Sequence, residues 1–181
     1  MRLLAYNWRN SDQWGVRPTV PEDLIRIRNR EPGDLDECVE ALAAVHQTSG
    51  YPTNWPADPA RWLAPAGTLQ AWIATADDLP IAGHMILRQR ATGAAEVSRL
   101  FVIPSARRQG IALALLQKAM RWAAASDMDL TLDVTDHLRG ARALYERAGF
   151  RLTGIGRADW TAPGGQPVTV HRYAWRQKPA G

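Results

Sequence analysis

The feature that most constrains this chain is a strand that stops at a proline and passes, through a short basic loop, directly into a long helix. The segment reads Val97-Ser98-Arg99-Leu100-Phe101-Val102-Ile103-Pro104-Ser105-Ala106-Arg107-Arg108-Gln109-Gly110-Ile111-Ala112. Pro104 cannot donate to a ladder and ends the strand. Apolar residues then recur at helical spacing from Gly110 to Ser126. The first turn of any helix leaves backbone N–H groups unpaired and carries a partial positive charge. Gly110 and Ala112 put little side chain over those amides, and Arg107 and Arg108 stand beside them. Such a turn can cradle a phosphate. The same residues also suit an ordinary strand-to-helix connection with surface arginines. The sequence contains neither G-x-x-x-x-G-K-[ST] nor G-x-G-x-x-G, which disfavours a P-loop NTPase and a Rossmann dehydrogenase.

The rest of the chain has the rhythm of one layered α/β domain. Leu24 to Arg28 alternates like a short strand. Asp34 and Glu37 suggest a capping-box start for a helix whose apolar face is Leu35, Cys38, Val39, Leu42 and Val45. Gly50 to Pro59 is turn chemistry, and Ala60 to Leu63 fits a short helix. Leu69–Thr75, Ile81–Arg90 and Ala95–Ile103 read as strands joined by short, antiparallel connections. After the long helix come a strand at Asp129–Val134, a helix at His137–Ala148 and closing strands at Phe150–Ile155 and Val168–Arg176. The order implies a single α/β domain with a mixed sheet flanked by helices.

Composition narrows the function classes. A chain of 181 residues suits one domain. We divide it into a leader at 1–23, flexible or packed on the domain, a folded unit at 24–176 and a tail at 177–181. Net charge is +4, too small to argue for nucleic acid, and arginines and acids are interspersed. One cysteine, Cys38, excludes an intrachain disulfide and thiolate zinc clusters, and it falls on an apolar helix face. No H-E-x-x-H or G-x-S-x-G occurs. No apolar run is long enough to span a bilayer. The expectation is therefore a cytoplasmic protein, monomer or homodimer, that needs no metal and binds neither nucleic acid nor membrane.

Two spaced motifs carry a resemblance. Arg107-x-x-Gly110-x-Ala112, after a strand ending Leu100-x-Val102-x-Pro104, resembles the acetyl-CoA-binding motif of the GNAT superfamily of N-acetyltransferases. Downstream, Ala141-Arg142-Ala143-Leu144-Tyr145-Glu146-Arg147-Ala148-Gly149-Phe150 is similar to that family's A-x-x-L-Y-x-x-x-G-F signature. The resemblance covers Leu24 to Arg176. It departs at Leu138, where members often carry an asparagine that helps hold the cofactor, and at Ala112, where the second small residue is alanine rather than glycine.

The resemblance implies a mostly antiparallel sheet with a V-shaped splay at the cofactor site. It implies direct attack of a substrate amine on acetyl-CoA, which serves as acyl donor. Leu100 and Val102 would hold the pantetheine arm, with the Val102 N–H polarising the thioester. Arg107, Arg108, Gln109, Gly110, Ile111, Ala112 and Leu113 would take the pyrophosphate. Tyr145 would be the general acid, since a phenol with a reference pKa near 10 is protonated at neutral pH. Glu96 is the expected general base, acting through water; Asp133, Asp136, His84 and His171 are further candidates.

Specificity should come from residues 46–64 and 156–175. Trp55, Trp62 and Trp160, with Asp133, are the expected acceptor-binding residues; Trp72 and Trp122 read as core. Aromatic walls with scattered acids suit a small-molecule amine. A protein or peptide amine is the alternative acceptor, and an acyl-CoA-binding sensor without turnover is the alternative class.

Overall fold

The computed structural model describes residues 25–76, 79–90, 93–135 and 139–176. The proposed leader and tail, Asp136 and Leu138 lie outside these described residues. Among them the strands form one seven-stranded sheet in the order β1-β2-β3-β4-β5-β7-β6. The strands are β1 (Ile25–Asn29), β2 (Thr68–Ala76), β3 (Leu79–Gln89), β4 (Ala95–Val102), β5 (Leu130–Thr135), β6 (Arg151–Thr161) and β7 (Pro167–Trp175). The helices are α1 (Leu35–Ser49), α2 (Pro59–Leu63), α3 (Ile111–Ala125) and α4 (Arg139–Arg147). Every strand pair is antiparallel except β4 with β5, the two strands linked by α3.

Alternation along the strands sends side chains into two cores. On one face Trp72, Ala74, Met85 and Leu87 meet Ile111, Leu115, Leu116 and Ala119 of α3. Tyr145, Phe150 and Tyr173 continue that core. On the other face Ile73, Ile81 and Phe101 meet Cys38, Leu42 and Val45 of α1 and Leu63 of α2. Trp72 is core as expected, whereas Trp122 is only partly buried and packs at its margin.

Two local expectations are corrected. The capping interaction before α1 lies one turn earlier than expected. The Glu31 N–H donates to Asp34 Oδ2 (2.6 Å), closing a 3-10 turn at Pro32–Asp34, while Asp34 makes no side-chain cap to α1. Both carboxylate oxygens of Asp34 are drawn to this position by the Arg28 guanidinium, each at 2.7 Å. Second, β6 runs on to Thr161 rather than stopping at Ile155, because register shifts between Leu152 and Gly154 and between Arg157 and Thr161 let a glycine-containing strand stay paired with β7. β7 lies between β5 and β6, so the closing strands form a hairpin that returns into the sheet.

Two packing details fix the place of α3. A Cβ on Gly83 of β3 would stand 2.9 Å from Ile111 Cγ2 and 3.2 Å from the Phe101 carbonyl oxygen. Only glycine lets the first turn of α3 come this close to the sheet. Gly110, at φ +86°, is the left-handed residue before that turn, and Arg108 shares the left-handed region at φ +66°. A Cβ added to Gly110 would meet nothing within 4 Å, so conformation, and not crowding, requires glycine there.

Candidate active site

β4 and β5 are paired only at Ala95–Leu130 and Glu96–Thr131, and beyond those positions they separate. β4 nevertheless stays bonded to β3 as far as Val102, opposite Gly83. The Ile103 N–H donates to the Ala82 carbonyl (3.0 Å), so antiparallel alternation turns the Val102 N–H the other way, toward the gap left by β5. Arg107 Nε reaches the Val102 carbonyl at 3.4 Å from the loop that follows.

At the open end of the splay stands the start of α3. The first carbonyl to accept within it is that of Gly110, from the Ala114 N–H at 3.0 Å. The amides of Ile111, Ala112 and Leu113 therefore lead the helix with no turn before them to accept. Gly110 has no side chain with which to cap them. Arg107 and Arg108 are exposed beside this turn, and Gln109 is half-buried. Arg107 is also tied to α1 through Ser49 Oγ (3.2 Å).

Tyr145 stands on α4, in the core that lines one face of the sheet. Its ring lies 6.2 Å from those of Phe150 and Tyr173, and its residual exposure is 9%. Burial raises the phenol above the ordinary tyrosine range, so it holds its proton throughout the neutral range. Tyr51 lies on the loop after α1. Burial likewise pushes the Tyr51 phenol up, to about 12.

Around Tyr51 the structure assembles a wall from three segments. Tyr51 meets Trp62 of α2 edge-on, with ring centroids 6.1 Å apart. Trp55 tilts over His46 at 5.1 Å and is exposed, as is Trp160 on β6. The Asn54 amide donates to the Thr161 carbonyl (2.7 Å), which fastens this loop to the end of β6 beside Trp160. Asp58 is spent on capping α2, accepting from the Arg61 N–H at 2.9 Å.

Beneath Trp62 lies a set of buried polar groups that sequence patterning scarcely signals. Between His84–Phe101 and Ile86–Ser98, β4 carries one more residue than β3, a bulge at Arg99–Leu100 with Arg99 at φ +54°. The Arg99 guanidinium lies over the Trp62 ring, 4.0 Å from its centroid, and donates to the Trp62 carbonyl (3.1 Å) and Ser98 Oγ (3.0 Å). Arg30 donates to the Leu63 carbonyl (2.8 Å) and lies 2.9 Å from His84 Nε2. His84 is fully buried, stacks on Phe101 at 5.2 Å and contacts the Arg99 carbonyl through Nδ1 (3.0 Å). The only advance signal was a polar residue inside the apolar run of β3.

Glu96 and Asp133 are brought together at the closed end of the splay. Glu96 pairs with Arg88 (3.1 Å) and Arg90 (3.2 Å), and Arg90 continues to Asp133 (3.6 Å), which also meets Arg172 (4.0 Å). His171 is buried on β7 in register with Val134 and Ile155. Cys38 is wholly buried, and desolvation pushes its thiol up to about 12, which suits packing and not nucleophilic attack. Among the described residues no group of acids, histidines and cysteine is placed to hold a metal ion, and no helix is long and apolar enough to cross a membrane.

A splayed parallel pair, a helix start at its mouth and a buried tyrosine on α4 coincide with a family match. The family model described as Acetyltransferase (GNAT) family covers residues 35–150. The chain belongs to the GNAT acetyltransferase family. It is thus an acyltransferase, and the GNAT fold expected from its two motifs is the one observed. The curated relative YafP of Escherichia coli strain K12, an uncharacterized N-acetyltransferase, is 27% identical over 135 residues, spanning 70% of this chain and 81% of the relative. Among solved structures, the ribosomal-protein-S18-alanine N-acetyltransferase from Escherichia coli superposes with a TM-score of 0.70 at 22% identity, covering 87% of this chain and 97% of that one. Spermidine N-acetyltransferase from Vibrio cholerae, solved with CoA and spermine, gives a TM-score of 0.69 at 18% identity, covering 85% and 96%. At these identities the two structures speak for the shared GNAT fold alone.

Proposed function

We propose that this GNAT protein transfers the acetyl group of acetyl-CoA to a primary amine of a small molecule by direct attack. The observation that supports the reading is the splay itself, with the Val102 N–H turned into the gap and the leading amides of α3 at its mouth, together with the buried, protonated phenol of Tyr145 on α4. In this reading the pyrophosphate lies on the amides from Arg108 to Leu113, with Arg107 and Arg108 beside it. Leu100 and Val102 flank the pantetheine arm, and the Val102 N–H stabilises the oxyanion that forms on the thioester carbonyl.

The amine lone pair adds to the carbonyl carbon, the C–S bond breaks, and the thiolate takes its proton from the Tyr145 hydroxyl. The proton lost by the amine leaves through water, toward Glu96. Trp55, Trp62 and Trp160 supply the acceptor wall, and Asp133 stands behind Arg90 at its closed end. We place the protein in the cytoplasm, the compartment a single thiol favours. The relatives span both acceptor types: one is named for a ribosomal protein's alanine and the other for spermidine. The exposed indoles of Trp55 and Trp160 in a wall pinned by Asn54 favour a compact ligand.

Thiol release from acetyl-CoA against a panel of small amines and peptides tests this. Turnover of a small amine supports it, and turnover of peptides alone moves the acceptor to protein. Tight acetyl-CoA binding without transfer to any amine makes the protein a sensor.

A further inference from the structure

Three of the acids near the acceptor wall are engaged: Asp58 caps α2, Glu96 is held by Arg88 and Arg90, and Asp133 by Arg90 and Arg172, while Asp159 beside Trp160 is exposed. Arg99 is in a different position. Its half-buried guanidinium uses Nε and one Nη1 hydrogen on neutral oxygens, which leaves donors from a group that carries five. Among the described residues no carboxylate stands within salt-bridge distance of it. Burial lowers the guanidinium's pKa, Arg88 adds to the lowering, and Tyr51 and Glu96 offset it only in part.

A half-buried cation without a counter-ion is costly to maintain for structure alone. Clamping α2 needs only the Nε–carbonyl bond to Trp62. The Trp62 ring lies against the guanidinium plane, and Tyr51 packs edge-on to the same indole, so the cation belongs to the acceptor wall. Guanidinium planes held this way suit bidentate capture of a carboxylate.

We propose that the acceptor amine carries a carboxylate, as an amino acid does, and that Arg99 binds it. This deepens the acetyl-transfer reading and rests on it. An acceptor of this kind joins the two charges of the site: the carboxylate on Arg99 orients the molecule, and the amine, once neutral, faces the thioester.

The test compares amino acids with the amines left by their decarboxylation, as matched pairs: glycine with methylamine, leucine with isopentylamine, phenylalanine with phenethylamine. For each pair kcat/KM is measured by thiol release with wild type, Arg99→Lys and Arg99→Met. The expected result is a wild-type preference for at least one amino acid over its amine of roughly ten- to a hundredfold, the worth of a hydrogen-bonded charge. In R99M that ratio collapses toward one, and R99K keeps part of it. Because the readout is a ratio, a general loss of activity in R99M cancels, and if R99M does not fold the wild-type ratios still decide. Turnover of the simple amines or of a polyamine, with no amino acid favoured, overturns the proposal while leaving acetyl transfer standing. No thiol release with any amine overturns both.

Discussion

Arg30 Nη1 lies 2.9 Å from His84 Nε2, and since a guanidinium can only donate, the imidazole keeps its proton on Nδ1 and gives it to the Arg99 carbonyl, 3.0 Å away. One buried ring thus joins a loop arginine to the strained bulge of β4. Desolvation, with Arg30 and Arg99 adding to it, takes the His84 pKa down to about 3. The unfolded state, with an ordinary histidine, binds a proton that the native state refuses. Stability from this group is therefore full above about pH 6.5 and falls as the pH drops toward 3, with a slope of up to about 1.4 kcal/mol per unit. Urea unfolding between pH 7 and 4 should show that slope, and His84→Gln should flatten it while lowering stability at pH 7. An identical slope in wild type and variant would show that His84 is not the group titrating.

Tyr145→Phe removes only the hydroxyl from a ring that keeps its contacts with Phe150 and Tyr173. The expected result is a fall in kcat of about a hundredfold or more, the usual range for a lost proton donor, with the acetyl-CoA dissociation constant unchanged. Isothermal titration and single-turnover kinetics separate the two quantities. Unchanged turnover would sink the assignment of Tyr145 as the acid.

Gly110→Ala forces a Cβ into φ +86° at the residue leading into α3. The left-handed penalty is about 1–2 kcal/mol, and relieving it means moving the amides of Ile111 to Leu113. Acetyl-CoA affinity should fall by more than thermal stability does. A variant that loses stability and binds acetyl-CoA normally would separate this turn from the cofactor.

Gly83→Ala probes the same helix from below. With Ile111 Cγ2 at 2.9 Å and the Phe101 carbonyl at 3.2 Å from the new methyl, α3 or β4 must shift. Overpacking of this kind costs about 1–3 kcal/mol. Denaturant melts should record that loss, and acetyl-CoA binding should weaken with it, because Ile111 is the first residue of α3.

Glu96→Gln keeps the shape of the side chain and removes the charge that Arg88 and Arg90 share. If Glu96 accepts the amine's proton through water, kcat/KM at neutral pH should drop while acetyl-CoA binding is kept. Unchanged turnover would leave the carboxylate with a purely structural part.

The GNAT scaffold was legible because its signals are local. Pro104 stops β4, Gly110 permits the turn, and the spacing from Leu144-Tyr145 to Gly149-Phe150 marks the end of α4. Each of these needs only a few neighbouring residues to make physical sense. The fate of β7 was not legible in the same way. Its place between β5 and β6 is a choice among partners far apart in the chain, and alternation along one strand says nothing about which edge receives it.

The Arg99 bulge shows the other limit. An extra residue in β4 exists only relative to β3, so no window of sequence around Arg99 reveals it. His84 was visible as a polar residue among Ile81, Ala82, Met85 and Ile86, but its partners Arg30 and Arg99 stand in two other strands' neighbourhoods. Glu96 and Asp133 read as separate candidates because nothing in sequence says that Arg90 bridges them.

The early parting of β4 from β5 has a consequence for how this protein is held together. Two strands that share only the pairings Ala95–Leu130 and Glu96–Thr131 leave a stretch of main chain whose natural neighbour is not another strand of the protein. A bound molecule laid along Val97–Val102 would act as a surrogate strand, and its binding energy would add to the folding energy by mass action. Amide exchange in the second half of β4 should then slow with donor concentration far more than in β2 or β3, so that the sheet is completed only in the presence of what the enzyme consumes.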